Sequence, residues 1–235
     1  MSARDDAVAR IEADPALGAL RERVAARLDD DPGHDLEHCL RVAGWAIRCG
    51  GAEVDPRECV AAALLHDLIN LPKDHPDRAR ASERSAEAAR DLLPSHGFDA
   101  DAVARIARAV EDHSFSRGAI PRDPLGDALQ DADRLEALGA LGLCRTISTG
   151  TRMGARYFHA ADPWAADRPL DDRAFSVDHF FTKLLRLPET LRTDVGRAEA
   201  RRRAAFLEVF LDQLAGELGQ PRSEARPSSS ETRGA

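Results

Sequence analysis

A nearly uninterrupted apolar segment, CVAAALLHDLIN at residues 59–70, sets the first limit on how this chain can fold. Asp55 and Pro56 precede it, and a capping residue followed by proline is a typical helix start. A helix that is apolar on every side is expected at the centre of a larger helical structure. The predicted helix also contains the adjacent pair His66-Asp67. The chain must therefore bury ionisable groups, which costs several kcal/mol unless another group compensates.

The rest of the chain also has helical periodicity. Apolar residues recur at spacings of three and four over residues 15–30 and 35–49. Further helices are predicted over residues 77–93, 99–113, 125–149, 176–187 and 194–218. Aromatic residues make up only 5% of the sequence, and abundant Ala, Leu and Arg favour helices over strands. The pattern predicts an all-α fold.

One domain is expected over residues 1–220, with a helical core at about 20–150 and additional C-terminal helices within 172–218. Hydrophobic residues make up 43% of the chain, which is enough for a packed core. The remaining residues, 221–235, are polar and are predicted to form a disordered tail.

The formal net charge of -8 makes the chain a poor non-specific ligand of nucleic acid or of an anionic membrane. No window approaches 18 uninterrupted apolar residues, and the N-terminal sequence MSARDDAVAR has no apolar signal segment. The 4 cysteines form no C-x-x-C pair. These observations predict a cytoplasmic protein with reduced thiols, and neither a membrane nor a nucleic-acid partner.

Histidine and aspartate are concentrated in short motifs. These are His34-Asp35-x-x-His38, His66-Asp67, Asp112-His113-Ser114-Phe115-Ser116 and Asp131-Ala132-Asp133-Arg134-Leu135. A metal ion would remove the cost of burying His66 and Asp67, because a neutral imidazole and a carboxylate are both metal ligands. A salt bridge or a helix-end cap would explain the same pair. Spacing alone does not choose between Asp131 and Asp133.

The order of these motifs resembles the HD-domain superfamily of metal-dependent phosphohydrolases. The matching patterns are H-D-x-x-H-x-x-R-V at residues 34–42, A-x-L-L-H-D at 62–67 and D-A-D-R-L at 131–135. Further segments look like a small, stand-alone bacterial subgroup, at residues 65–74, 113–116, 131–142 and 178–185. The similarity covers roughly residues 20–218 and implies an HD-domain helical bundle with additional C-terminal helices.

By this resemblance the metal ligands are His38, His66, Asp67 and Asp133. Asp133, not Asp131, aligns with the aspartate of the family. Two imidazoles and two carboxylates suit Mn, Fe, Co, Ni or Zn as the divalent metal ion, and Mg is kept as an option. The resemblance implies a hydrolase that cleaves a phosphoester or phosphoanhydride of a small molecule, and nucleotides are the common substrates of the superfamily.

The expected catalytic residues are Asp67, Lys73, His113 and Arg134. The lysine and the arginine would stabilise negative charge on the phosphate, with Arg145 and Arg152 as weaker candidates. The imidazole of His113 would donate a proton or contact the phosphate.

Alternative functions stay open. Some HD-fold proteins are dinuclear-iron oxygenases, which need further histidines before the last aspartate. The candidates are His75, His96 and His113, which form no helical His-His pair. Many superfamily members carry an acid at the position of Asn70, so Asp67 or water on the metal ion would have to activate the nucleophile here. This departure motivates a second alternative, a non-catalytic nucleotide-binding regulatory module. A homodimer is also left open.

Overall fold

The computed structural model describes residues 2–28, 33–70, 77, 80–114 and 118–222, and over these residues the chain is all-α, as the sequence predicts. The α-helices are α1 (Ala3–Ala13), α2 (Pro15–Ala25), α3 (Leu36–Gly50), α4 (Pro56–Leu65), α5 (Ala81–Leu92), α6 (Ala100–Asp112), α7 (Pro124–Leu135), α8 (Gly139–Arg152), α9 (Ser176–Thr182) and α10 (Asp194–Leu218). Short 3-10 segments span Leu93–His96 and Leu184–Thr190.

The centre of the fold is the α3–α4 pair. Every residue from Val60 to Leu65 is buried, so the expectation of a buried helix in this segment is confirmed. Helix α3 packs against α1, α4 and α7, and the apolar side chains of α1 to α7 form one core cluster. A second cluster joins α9, the segment Leu184–Thr190 and α10, and Trp45 of α3 packs against both clusters.

Some element boundaries differ from the sequence-based expectations. Helix α1 was not predicted, because its buried face consists of Ala3, Ala7 and Ile11, which give a weak apolar pattern. The expected helix over 125–149 is two helices, since α7 ends at Leu135 and α8 begins at Gly139. Helix α2 ends at Ala25 instead of about residue 30.

The helix that contains the apolar segment also ends earlier than expected. Helix α4 stops at Leu65, and His66 and Asp67 lie in the turn that follows, not inside the helix. His66 still has helical backbone angles, with φ -61° and ψ -39°, and it is the C-terminal cap residue. The pair therefore stands at the buried end of α4, where side chains from other helices can reach it.

Several expectations fall outside the described residues. These are the ones on Lys73, His75 and residues 223–235 of the predicted tail. Among the described helices, none combines the length and the apolar character needed to cross a bilayer. All four cysteines are described, and no disulfide joins them.

Helix α1 is held against α3 by a close backbone approach at Gly44. A Cβ atom added at Gly44 would overlap the carbonyl group of Ala3. We therefore expect Gly44→Ala to destabilise the protein by about 1–3 kcal/mol, as overpacking does elsewhere. Gly18→Ala in α2 is the matched control, because its nearest contact would be the Ile11 carbonyl oxygen at 3.8 Å. Thermal denaturation of both variants is the measurement, and equal melting temperatures would contradict the close approach.

Candidate metal centre

Three helices bring the predicted ligands to one place. His38 lies in the first turn of α3, where its backbone N–H donates to the N-cap carboxylate of Asp35 at 2.8 Å. His66 and Asp67 follow the end of α4, and Asp133 lies in the last turn of α7. Because α3 packs against both α4 and α7, residues far apart in sequence meet at its N-terminal end.

The donor atoms lie close together. His38 Nε2 is 3.2 Å from His66 Nε2, and His66 Nε2 is 3.4 Å from Asp67 Oδ2. Asp133 Oδ1 is 3.6 Å from His38 Nε2 and 3.9 Å from His66 Nε2. Metal–ligand bonds of roughly 2.0–2.2 Å place neighbouring donors on one ion about 3–3.5 Å apart. The spacing is therefore close to what one shared cation requires.

The ring orientation of His66 suits a ligand. Its Nδ1 lies 2.7 Å from the carbonyl oxygen of Ala63, and a carbonyl oxygen only accepts, so Nδ1 carries the proton. The lone pair is consequently on Nε2, which faces the other donors. Complete burial lowers the pKa of His66 to about 4 despite the nearby Asp67 carboxylate. His66 is therefore neutral at neutral pH, as coordination requires.

The two aspartates are in the ionised form. Burial raises the pKa of Asp67, but His66, His113 and His34 outweigh it and hold that pKa well below its usual value. Burial likewise opposes ionisation of Asp133, and His66 and His38 again bring its pKa below the ordinary value. His38, His66 and the carboxylate of Asp67 thus form one cluster, and the carboxylate of Asp133 lies beside both imidazoles, 3.6 Å from His38 and 3.9 Å from His66. These side chains fit a divalent cation.

The two aspartates of the D-A-D motif have different environments. Asp131 is fully buried and accepts hydrogen bonds from the backbone N–H groups of Arg192, at 2.9 Å, and Thr193, at 2.7 Å. The Thr193 hydroxyl donates to the same carboxylate at 2.8 Å. Asp131 therefore anchors the start of α10, and the carboxylate near the histidines belongs to Asp133.

Two further histidines border Asp67. His113 Nε2 is 3.5 Å from Asp67 Oδ1, and its Nδ1 donates to the carbonyl oxygen of Val110 at 2.6 Å. Burial opposes protonation of His113, but the Asp67 carboxylate outweighs it and raises the pKa of His113. His34 Nε2 lies 3.8 Å from Asp67 Oδ2, on the other carboxylate oxygen.

Of the cations named from the sequence, Lys73 lies outside the described residues, and Arg134 and Arg145 have different partners. The guanidinium of Arg134 donates to the carbonyl oxygen and hydroxyl of Thr190, at 2.7 and 3.1 Å. The guanidinium of Arg145 contacts a candidate ligand, because it lies 3.0 Å from His38 Nδ1, and it also lies 3.4 Å from His34 Nε2.

Sequence reasoning missed Glu136 entirely. Its side chain is only 1% exposed, and Oε2 lies 3.6 Å from His38 Nδ1. The only signal available was its position three residues after Asp133, and a glutamate beside a helix end is usually on the surface.

Of the three histidines considered for a second metal ion, His96 and His113 are described, and they have different neighbours. His113 lies beside Asp67, whereas His96 Nδ1 contacts the carbonyl oxygen of Leu92 at 2.8 Å. Within the described ranges, one cluster of His, Cys, Asp and Glu side chains has ligand-like spacing, and it consists of His38, His66 and Asp67, with donor atoms within 4.8 Å of one another.

Comparisons with known proteins agree with the resemblance to HD-domain proteins. The HD domain family model matches residues 35–138. The protein YpgQ of Bacillus subtilis is 34% identical over 191 residues, which cover 79% of this chain and 85% of YpgQ. The crystal structure of YpgQ in complex with ADP superimposes with a TM-score of 0.66 at 30% identity, covering 85% of this chain and 93% of YpgQ. An HD-superfamily hydrolase from Bacillus thuringiensis gives a TM-score of 0.65 at 27% identity, with coverages of 86% and 96%.

Proposed function

Because this chain belongs to the HD domain family, we propose that it hydrolyses a phosphoester or phosphoanhydride bond of a small molecule with one divalent metal ion. The fold, shared with HD-superfamily hydrolases, supports metal-dependent phosphohydrolysis in general. The single observation that carries the proposal is the convergence of two imidazole nitrogens and two carboxylate oxygens, with successive contacts of 3.2–3.9 Å.

A nucleotide is the substrate class that we favour. The relative YpgQ was crystallised in complex with ADP, and this chain aligns with 93% of that structure. The candidate metal centre also has a cation beside it that could bind a phosphate, because Arg145 lies next to His34 and His38. A guanidinium binds phosphate oxygens through paired N–H donors.

In the proposed mechanism His38, His66, Asp67 and Asp133 hold the ion, which when bound acidifies water and polarises the phosphoryl group. The two carboxylate oxygens of Asp67 have different neighbours, since Oδ2 faces His66 and Oδ1 faces His113. Oδ2 would therefore bind the ion, and Oδ1 would be left for proton transfer. The Oδ1 atom is placed to accept a proton from the attacking water.

The remaining side chains would protonate the leaving group and stabilise the negative charge of the phosphate. His113, whose pKa is raised by Asp67 against the effect of burial, is the proton donor to the leaving oxygen. Arg145 takes the charge-stabilising role that the sequence assigned to Arg134, because the latter binds Thr190. Lys73 remains a candidate outside the described residues.

The test is a release assay for phosphate and pyrophosphate with Mn²⁺ over nucleoside and deoxynucleoside mono-, di- and triphosphates. We expect turnover of at least one nucleotide, its loss with EDTA, and recovery when Mn²⁺ is restored. Tight nucleotide binding without release across the panel would favour the regulatory module instead. Two irons per chain with oxygen uptake would favour the oxygenase.

A further inference from the structure

The second nitrogen of His38 has two incompatible neighbours. Arg145 Nη1 lies 3.0 Å from Nδ1, and Glu136 Oε2 lies 3.6 Å from the same atom. A guanidinium only donates hydrogen bonds, whereas an ionised carboxylate only accepts them. Nδ1 must be unprotonated to accept from Arg145 and protonated to donate to Glu136, so the two contacts require different states of the ring.

The shorter contact fixes one consistent network. With Nδ1 accepting from Arg145, a neutral His38 carries its proton on Nε2. That proton is donated to His66 Nε2 at 3.2 Å, and His66 in turn donates from Nδ1 to Ala63. In this arrangement the nitrogen of His38 that faces the other candidate ligands is occupied by a proton.

Glu136 is suited to hold the other state of the ring. It is buried, and its Oε2 accepts from Arg41 Nε at 2.7 Å. Its Oε1 accepts no hydrogen bond from any described residue and lies 3.7 Å from Arg203 Nη1. A carboxylate on the far nitrogen is the usual partner of a metal-binding histidine.

We propose that Glu136 and Arg145 compete for Nδ1 of His38 and that metal binding decides the competition in favour of Glu136. The ion requires the lone pair of Nε2, so Nε2 must lose its proton. His38 gains one proton at Nδ1 at the same time, so the ring stays neutral and releases no net proton. Nδ1–H then donates to Glu136, and the contact with Arg145 is lost because two donors would face each other.

The consequence is an ordered assembly of the site. Once displaced from His38, the guanidinium of Arg145 is available to a phosphate oxygen, so the anion-binding group is released by the cation. Glu136 acts as a positioning residue for His38. This inference deepens the proposed function and rests on its metal site.

Zinc is the probe for the test, because it is diamagnetic and binds imidazole and carboxylate ligands. The protein is labelled with ¹⁵N in its histidines, and NMR reports which nitrogen of His38 carries the proton. We expect Nε2–H before zinc addition and Nδ1–H afterwards. Nδ1–H already present in the zinc-free protein would overturn the proposal.

Variants separate competition from simple charge effects. Arg145→Met is expected to raise zinc affinity roughly tenfold, because a hydrogen bond to a charged group no longer has to be broken. It should also shift the zinc-free ring toward Nδ1–H. Glu136→Gln is expected to lower zinc affinity about 10–100-fold. Arg152→Met removes the same charge from α8 and should leave the protonated nitrogen of His38 unchanged.

The outcomes distinguish this inference from the proposed function. If zinc binds and nucleotides are hydrolysed, but Arg145→Met does not raise zinc affinity, only the competition is wrong. If the wild-type protein binds zinc no better than His66→Ala, the metal site itself fails, and with it both proposals.

Discussion

Replacing His66 by alanine is expected to remove the bound metal ion and to lower kcat/KM by at least about a thousandfold. His66 Nε2 lies near all three other donors, at 3.2 Å from His38, 3.4 Å from Asp67 and 3.9 Å from Asp133. Metal-ion catalysis contributes several kcal/mol of charge stabilisation, and about 4 kcal/mol corresponds to that factor. Metal content per chain and kcat/KM for the best nucleotide of the panel are the measurements.

The helical fold should survive this change, since His66 follows the last residue of α4 and alanine is compatible with its helical backbone angles. Circular dichroism checks this point. Asp67→Ala is expected to lose both metal and turnover in the same way. His96→Ala is the matched control, because His96 contacts the carbonyl oxygen of Leu92. Retention of metal and activity in His66→Ala would place the catalytic centre elsewhere.

The buried centre of the fold was predictable from sequence because a helix that is buried on all sides consists almost entirely of apolar residues. The run before His66 is apolar at every position, and Val60 to Leu65 are all buried. Helix α1 was not predictable in this way, because its buried face of two alanines and Ile11 is close to the average composition of this Ala-rich chain. Its position depends instead on the close approach at Gly44, which is a tertiary contact.

The break between α7 and α8 was also invisible to local reasoning. The connecting residues are Glu136, Ala137 and Leu138, which are good helix formers. Gly139 has φ +69°, a conformation that glycine adopts without strain, and there the chain changes direction. Propensity favoured one long helix, and packing of α8 against α10 overrides it.

The site was only partly accessible from sequence. The buried pair His66-Asp67 called for compensation, but the residues alone left the choice between Asp131 and Asp133 open. That choice depends on the backbone of Arg192, 61 residues further along the chain. The sequence could name Arg145 only as a weaker candidate, because it is one of 33 lysines and arginines. Only the folded chain shows which guanidinium meets His38.

Asp131→Ala is expected to destabilise the fold by about 3 kcal/mol, whereas Asp133→Ala is expected to abolish metal binding with little loss of stability. Asp131 accepts partly buried hydrogen bonds from two backbone N–H groups and one hydroxyl. Each donor left unsatisfied there should cost about 1 kcal/mol, the lower end of the usual range. For a chain of this size the melting temperature should fall by roughly 6–12 °C.

Asp133 has the opposite profile because its described partners are imidazoles of the candidate site, His38 and His66. In the presence of EDTA, Asp133→Ala should melt close to the wild-type protein, since a carboxylate held near Asp67 is removed without exposing backbone donors. Added Mn²⁺ should raise the melting temperature of the wild-type protein and of Asp131→Ala, but not that of Asp133→Ala. Asp131 and Asp133 are two residues apart on α7, so their side chains point about 200° apart. The motif can therefore anchor α10 on one side of the helix and supply a metal ligand on the other. Stabilisation of Asp133→Ala by Mn²⁺ to the wild-type extent would contradict this division.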